Sequence, residues 1–311
     1  PRARGPPVIP TPTSAARLIL GAAVIGCLSP ATSAAQKPAA SVIEVLSAGR
    51  LSDSALRESS GVARSHLIPG VLYSINDSGT DAEIFALDST GAALGRWALP
   101  ALANHDWEAI AAGPCPAGRC LYIGDLGDNL EKRKHVTIYR LAEPGTLAAL
   151  RNPAGRGTAA VDSLRFRYPD GPRDAEALWL DPSGVPHVVS KGRSGKIILY
   201  RVPPRFGRKP IQTAERVEVL PISAQPALGQ WVTDAALAPD GRRVAIRTYT
   251  MLYLFPVLSD GRLGAPARCG LAGLEPQGEG VEWLDDRRLF LTSESRDGKP
   301  APIHVVRCGA N

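Results

Sequence analysis

Long apolar runs are nearly missing from this chain of 311 residues. The longest, Leu18-Ile-Leu-Gly-Ala-Ala-Val-Ile25, falls well short of the roughly 20 residues that span a bilayer. Aromatic residues are only 5% of the chain and long helical patterns are scarce, while Gly 31 and Pro 28 are high. That mix points to many short strands joined by turns. Familiar catalytic signatures are also missing: no GxSxG elbow, no HExxH, no Cys close to a His. Ser190-Lys-Gly-Arg-Ser-Gly-Lys196 lacks the GxxxxGK spacing and the following helix of a phosphate loop. The basic residues are scattered, with modest clusters at Lys191–Lys196 and Arg205–Lys209 that read as solvated loops, so no nucleic-acid partner is expected.

The N-terminus reads as an export signal. Arg17 precedes the apolar run, and small residues lead to Ala34 and Ala35, which suit a signal-peptidase cut. Residues 1–35 are therefore expected to be removed, 36–40 to form a short linker, and 41–311 to fold as one domain. Val24-Ile-Gly-Cys27 also fits a lipobox, which leaves a lipid anchor at Cys27 as the alternative and the only membrane attachment expected. The chain opens on Pro1, so its native start is expected upstream. Without Arg2, Arg4 and Arg17 the net charge falls from +6 to +3. The four remaining cysteines make an even set, as in an oxidising compartment. Cys115 and Cys120 flank a turn and are expected to pair, which leaves Cys269 with Cys308.

An acidic phrase recurs about every 45 to 70 residues, the period of a solenoid or propeller. It reads Glu58-Ser-Ser-Gly-Val62, Asp106-Trp-Glu-Ala-Ile110, Asp174-Ala-Glu-Ala-Leu178 and Gln277-Gly-Glu-Gly-Val281. It fades at Thr233-Asp-Ala-Ala-Leu237, where Ala235 stands in place of an acid. Each copy starts a set of β-type runs separated by turns such as Asp88-Ser-Thr-Gly91 and Asp181-Pro-Ser-Gly184. Four strands per unit is the blade of a β-propeller. The last unit stops one strand short, and the lone run Val42–Ser47 can complete it, closing the ring. An all-β propeller of five blades is the reading, with six the alternative if the long second repeat hides another; a monomer is expected.

Acids two apart in a strand share one face, so these carboxylates are expected to converge at one mouth of the central channel. Crowded carboxylates raise one another's pKa, and a hard cation such as Ca²⁺ relieves them through oxygen ligands. The expected ligand set is Glu58, Asp106, Glu108, Asp174, Glu176 and Glu279, with Asn76 and Asp125 from the loops Asn76-Asp-Ser-Gly79 and Gly124-Asp-Leu-Gly-Asp-Asn129. Lys191 and Arg247, at matching places in later repeats, are expected to steady an anionic group, so that Glu108, Glu176, Lys191 and Arg247 form the catalytic set. The tryptophans read as core, with Trp107 also placed to wall a cleft.

These phrases, with Tyr73-Ser-Ile-Asn-Asp-Ser-Gly79 and Leu121-Tyr-Ile-Gly-Asp-Leu-Gly-Asp-Asn129, resemble a group of secreted bacterial β-propeller proteins of unassigned function. More distantly the chain is similar to calcium-dependent propeller hydrolases, the esterase-like phytase and SMP-30/gluconolactonase groups. That resemblance implies a metal that holds substrate oxygens and activates water, hence hydrolysis of a phosphate ester or lactone. Two alternatives stay open. One is a non-enzymatic cell-envelope module binding a glycan, peptide or protein. The other is a glycoside hydrolase with two axial carboxylates.

Overall fold

The computed structural model describes residues 41–151, 160–207 and 210–309; the expected signal and linker lie outside them. The first strand, β1 (Ile43–Arg50), is followed by a series of antiparallel meanders. The first is β2 (Ser59–Arg64), β3 (Leu72–Asn76), β4 (Glu83–Leu87) and β5 (Ala93–Ala98). The second is β6 (Trp107–Cys115), β7 (Gly118–Asp125), β8 (Val136–Ala142) and β9 (Val161–Arg167), with the short helix α1 (Leu147–Arg151) in its insertion.

The third blade is β10 (Ala175–Leu180), β11 (Pro186–Ser190), β12 (Ile198–Arg201) and β14 (Glu215–Val219). Between its last two strands, β13 (Gln212–Thr213) pairs in parallel with β9 of the second blade. The fourth is β15 (Val232–Leu237), β16 (Arg243–Thr248), β17 (Met251–Pro256) and β18 (Ala267–Gly270). The fifth takes β19 (Gly278–Trp283), β20 (Leu289–Ser293) and β21 (Pro302–Cys308), and β1 becomes its outermost strand, with Ile43 opposite Cys308 and Arg50 opposite Pro302. The ring is thus five blades closed by the N-terminal strand, as the repeat predicts.

Local chemistry makes the blades. In the turn at Asp88 the carboxylate accepts the N–H groups of Thr90 (2.8 Å) and Ala92 (3.1 Å), and Gly91 adopts φ 86°. The turn at Asp181 repeats this with Ser183 (2.8 Å), Val185 (3.0 Å) and Gly184 at φ 84°. The core is divided by blade. Five apolar clusters each fill the seam between two neighbours, for example Tyr73, Trp97, Trp107 and Leu121 between the first and second, and Leu51, Leu72, Phe290 and Ile303 between the fifth and first. Trp107 is wholly buried in such a seam rather than walling a cleft. Adjacent inner strands touch all the way round, β2 to β6, β10, β15, β19 and back to β2, so the ring closes and the inner strands are almost wholly buried.

Both expected disulfides are present. Cys115–Cys120 spans the β6–β7 hairpin, and Cys269–Cys308 ties the fourth blade to the fifth. Two bonds of this kind are consistent with an extracellular or periplasmic protein. No helix among the described residues is long and apolar enough to cross a membrane.

Candidate functional site

Every inner strand begins with a β-bulge. The register slips between Ser59 and Gly61, Trp107 and Ala109, Ala175 and Ala177, Val232 and Asp234, and Gly278 and Val281. A bulge re-aims the side chain it carries. Here it delivers Ser60, Glu108, Glu176, Thr233 and Glu279 to one mouth of the hub. This corrects the reading of the fourth repeat: Thr233, not Ala235, holds the place of the acids. Thr233 Oγ1 donates to the Glu279 carbonyl (2.8 Å), as Ser60 Oγ does to the Glu108 carbonyl (3.1 Å). Asp234 then sits deeper, fully buried, accepting the N–H groups of Ala235 (2.8 Å), Val281 (2.9 Å) and Val62 (3.4 Å) and so tying three blades together.

The acids that gather are Asp77, Asp106, Glu108, Asp174 and Glu176. One carboxylate oxygen each of Asp77, Asp106 and Glu108, and one each of Glu108, Asp174 and Glu176, lie within 4.8 Å of one another. Glu279 stands beside Glu176, with Glu294 next to it. Burial, and then Glu176 and Asp77, push the Glu108 carboxyl well above the usual carboxylate range, and Ser60 Oγ donates to Glu108 Oε2 at 3.0 Å. Burial also raises Glu176, to about 7. Glu279 is raised by burial and then by Glu176, and Asp106 by burial and then by Asp77.

Two halves of this cluster differ. Glu176 is paired with Lys191 Nζ at 2.5 Å, and Asp174 with Arg193, while Asp174 also accepts the N–H of Asp128 at 2.8 Å. Burial works against the Lys191 charge, yet Glu176 holds its pKa above the ordinary value. Asp77, Asp106 and Glu108 have no Lys or Arg partner among the described residues. Their placement is built in. Asn104 Nδ2 donates to the Asp77 carbonyl (2.8 Å), and its Oδ1 accepts the N–H of Trp107 (3.0 Å), so the two loops carrying Asp77 and Asp106 are held together. Gly127 lies against them; a Cβ there would stand 2.4 Å from the Asp106 carboxyl and 2.7 Å from Glu108 Oε1.

The other expected residues lie elsewhere. Glu58 is exposed beside the mouth and outside the cluster. Asn76 is buried and knits its own loop, accepting the N–H groups of Arg57 and Glu58 at 3.0 Å each. Asp125 is buried against Arg133 at 2.7 Å. Arg247 is fully buried, donating to the Gly280 (2.8 Å) and Thr292 (3.0 Å) carbonyls and pairing with Glu275, so it binds the fourth blade to the fifth.

Asp77, Arg193 and Trp231 complete the mouth without having been expected there, beside Glu294, which follows the second strand of its repeat as Lys191 does. Asp77 sits inside the loop motif that was singled out, one residue past Asn76. Trp231 is half-buried at the rim with the Arg193 guanidinium 4.6 Å from its ring centre.

Fold and mouth together define the class: a five-bladed β-propeller with buried carboxylates at one end of its hub. Among solved structures, it is similar to the PQQ-bound aldose sugar dehydrogenase of Streptomyces coelicolor, at 14% identity, covering 87% of this chain and 99% of that one with a TM-score of 0.53. It is also similar to a putative 6-phosphogluconolactonase of Bacteroides uniformis, at 14% identity, covering 79% and 66% with a TM-score of 0.42. At 14% identity the first likeness speaks for the fold alone, and the second carries no argument. No family model matches the chain, and no curated protein is similar to it.

Proposed function

We propose that the protein is exported and that its acidic mouth holds a divalent cation, Ca²⁺, through Asp77, Asp106 and Glu108. The observation that carries this is the split within the cluster: Asp174 and Glu176 are ion-paired directly with Arg193 and Lys191, whereas Asp77, Asp106 and Glu108 form no direct ion pair among the described residues and feel Arg133 and Lys191 only from a distance. Carboxylate oxygens are the ligands of a hard ion, and water completes its shell of six to eight. When bound, such an ion polarises an oxygen of the ligand or lowers the pKa of water. On the adjoining wall Lys191 and Arg193 neutralise Glu176 and Asp174, and Trp231 offers a ring face at the rim. A small anionic or sugar-like ligand suits that setting, with hydrolysis of a phosphate ester or lactone as the reaction.

The non-enzymatic binding module is the second reading. It is favoured by the engagement of Arg247 with Glu275 and of Lys191 with Glu176, which leaves neither free to steady a leaving group. The axial glycosidase is disfavoured. Carboxylate oxygens of Glu108 and Glu176 lie within 4.8 Å of each other, inside the roughly 5 Å that a retaining pair needs.

Calorimetric titration of metal-free protein with CaCl₂ tests the cation. Binding is expected with release of protons, because Glu108 must give up its proton to become a ligand, and Asp77→Asn and Asp106→Asn should each weaken it at least tenfold. No binding heat, and the same melting temperature in Ca²⁺ as in EDTA, would sink the reading. A panel of phosphate esters and lactones then separates hydrolase from module.

A further inference from the structure

At the far end of the hub the inner strands open into a second mouth, a cavity of 440 Å³ lined from all five blades. Its acids are already committed. Asp181 Oδ1 accepts the N–H groups of Ser183 (2.8 Å) and Val185 (3.0 Å), and Asp240 Oδ1 accepts that of Arg242 (2.8 Å). Glu282 accepts the N–H groups of Arg64 (2.9 Å) and Trp283 (2.5 Å). Glu143, behind the wall, spends Oε1 on the N–H of His66 (2.9 Å) and the hydroxyl of Ser65 (2.5 Å).

The cations are not committed. The guanidinium groups of Arg64 and Arg119, both lining the cavity, make no hydrogen bond or direct ion pair among the described residues; Arg64 lies near enough to Glu282 to lower its pKa, yet its Nε is buried without a partner, while Arg119 is exposed at the rim. His66 lies beside them with Nε2 3.3 Å from the Ala112 carbonyl. Its pKa is lowered by burial and then by Arg64 and Arg119, which marks that corner as positive. An unpartnered guanidinium in a pocket is costly unless an anion meets it, and its fork matches a carboxylate or a phosphate.

We propose that this second mouth binds a small organic acid, with its carboxylate on Arg64 and Arg119 and its body against Pro114, Pro182 and Pro239. A monoanion suits the site better than a dianion. Asp181, Asp240 and Glu282 share the cavity, and their charge opposes a second negative group near the two arginines.

The probes are sodium benzoate and inorganic phosphate, titrated calorimetrically into the full chain at low and at high salt. Benzoate is expected to bind, more weakly at high salt, and at least tenfold more weakly in Arg64→Gln and in Arg119→Gln. Arg119 is exposed, so its variant should melt with wild type and keeps the test sound if Arg64→Gln folds poorly. Asp106→Asn, at the opposite mouth, should leave benzoate binding unchanged, so failure of the cation reading and failure of this one are separable. No benzoate binding, binding in both arginine variants as tight as in wild type, or phosphate bound more tightly than benzoate would overturn the proposal.

Discussion

Gly127 is where a single methyl group should matter most. Its Cα faces Asp106 and Glu108 so closely that a side chain must push one of them aside. Gly127→Ala is therefore expected to weaken Ca²⁺ binding at least tenfold in calorimetry, with a smaller effect on the melting temperature in EDTA. Arg247 is the opposite case, a residue whose effect should be on stability. Arg247→Met strips buried Glu275 of its guanidinium partner, leaving only His304 Nδ1 at 3.0 Å, and removes the donor from two carbonyls. Breaking a buried pair from one side costs about 3–5 kcal/mol, to be read from urea unfolding, and a loss below about 1 kcal/mol would contradict that structural assignment. At this scale the sequence was a partial guide. It named Asp106, Glu108, Asp174 and Glu176, because acids two apart on a strand must share a face. It could not separate Asp77 from Asn76, since neighbours on a loop face different ways only once Asn104 has fixed that loop. Nor could it foresee that Arg247 would be consumed by Glu275 from a different segment.

The strands and turns were legible as elements, because branched runs and Asp- and Gly-bearing turns are local signals. The bulges were not. A bulge leaves no mark in composition, yet it decides which residue of each phrase reaches the hub, and that is why Thr233 was passed over for Ala235. The two disulfides make an element-scale prediction. Cys269–Cys308 encloses a separation of 39 residues and joins two blades, whereas Cys115–Cys120 encloses 5 within one hairpin. Chain-entropy reasoning assigns about 4 kcal/mol to the first and about 2 kcal/mol to the second. Paired Cys→Ala variants should differ in that order in denaturant midpoint, and equal losses would contradict the loop-length ordering.

For the whole ring, five similar seams enclose a hub rich in buried carboxyls, and stability should depend on pH in a direction unusual for acids. Burial raises Glu108, Asp234 and Glu279, and brings Glu176 and Glu282 from an ordinary 4.5 to about 7. The native state then keeps protons that the unfolded chain has released. Its stability is full below the ordinary carboxylate range and declines as pH rises through about 7. In EDTA the melting temperature is expected to fall between pH 5 and pH 7.5, and Ca²⁺ should offset the share due to Glu108. Glu282→Gln, far from the cation, should flatten the remainder; a melting temperature that climbs across this window in EDTA would contradict it.

The most direct test is a crystal grown with CaCl₂ and measured for anomalous scattering. The expected result is one peak at the mouth of the hub, within about 2.3–2.6 Å of oxygens from Asp77, Asp106 and Glu108. Density showing only water there at saturating calcium would contradict the cation site on which the proposed function rests.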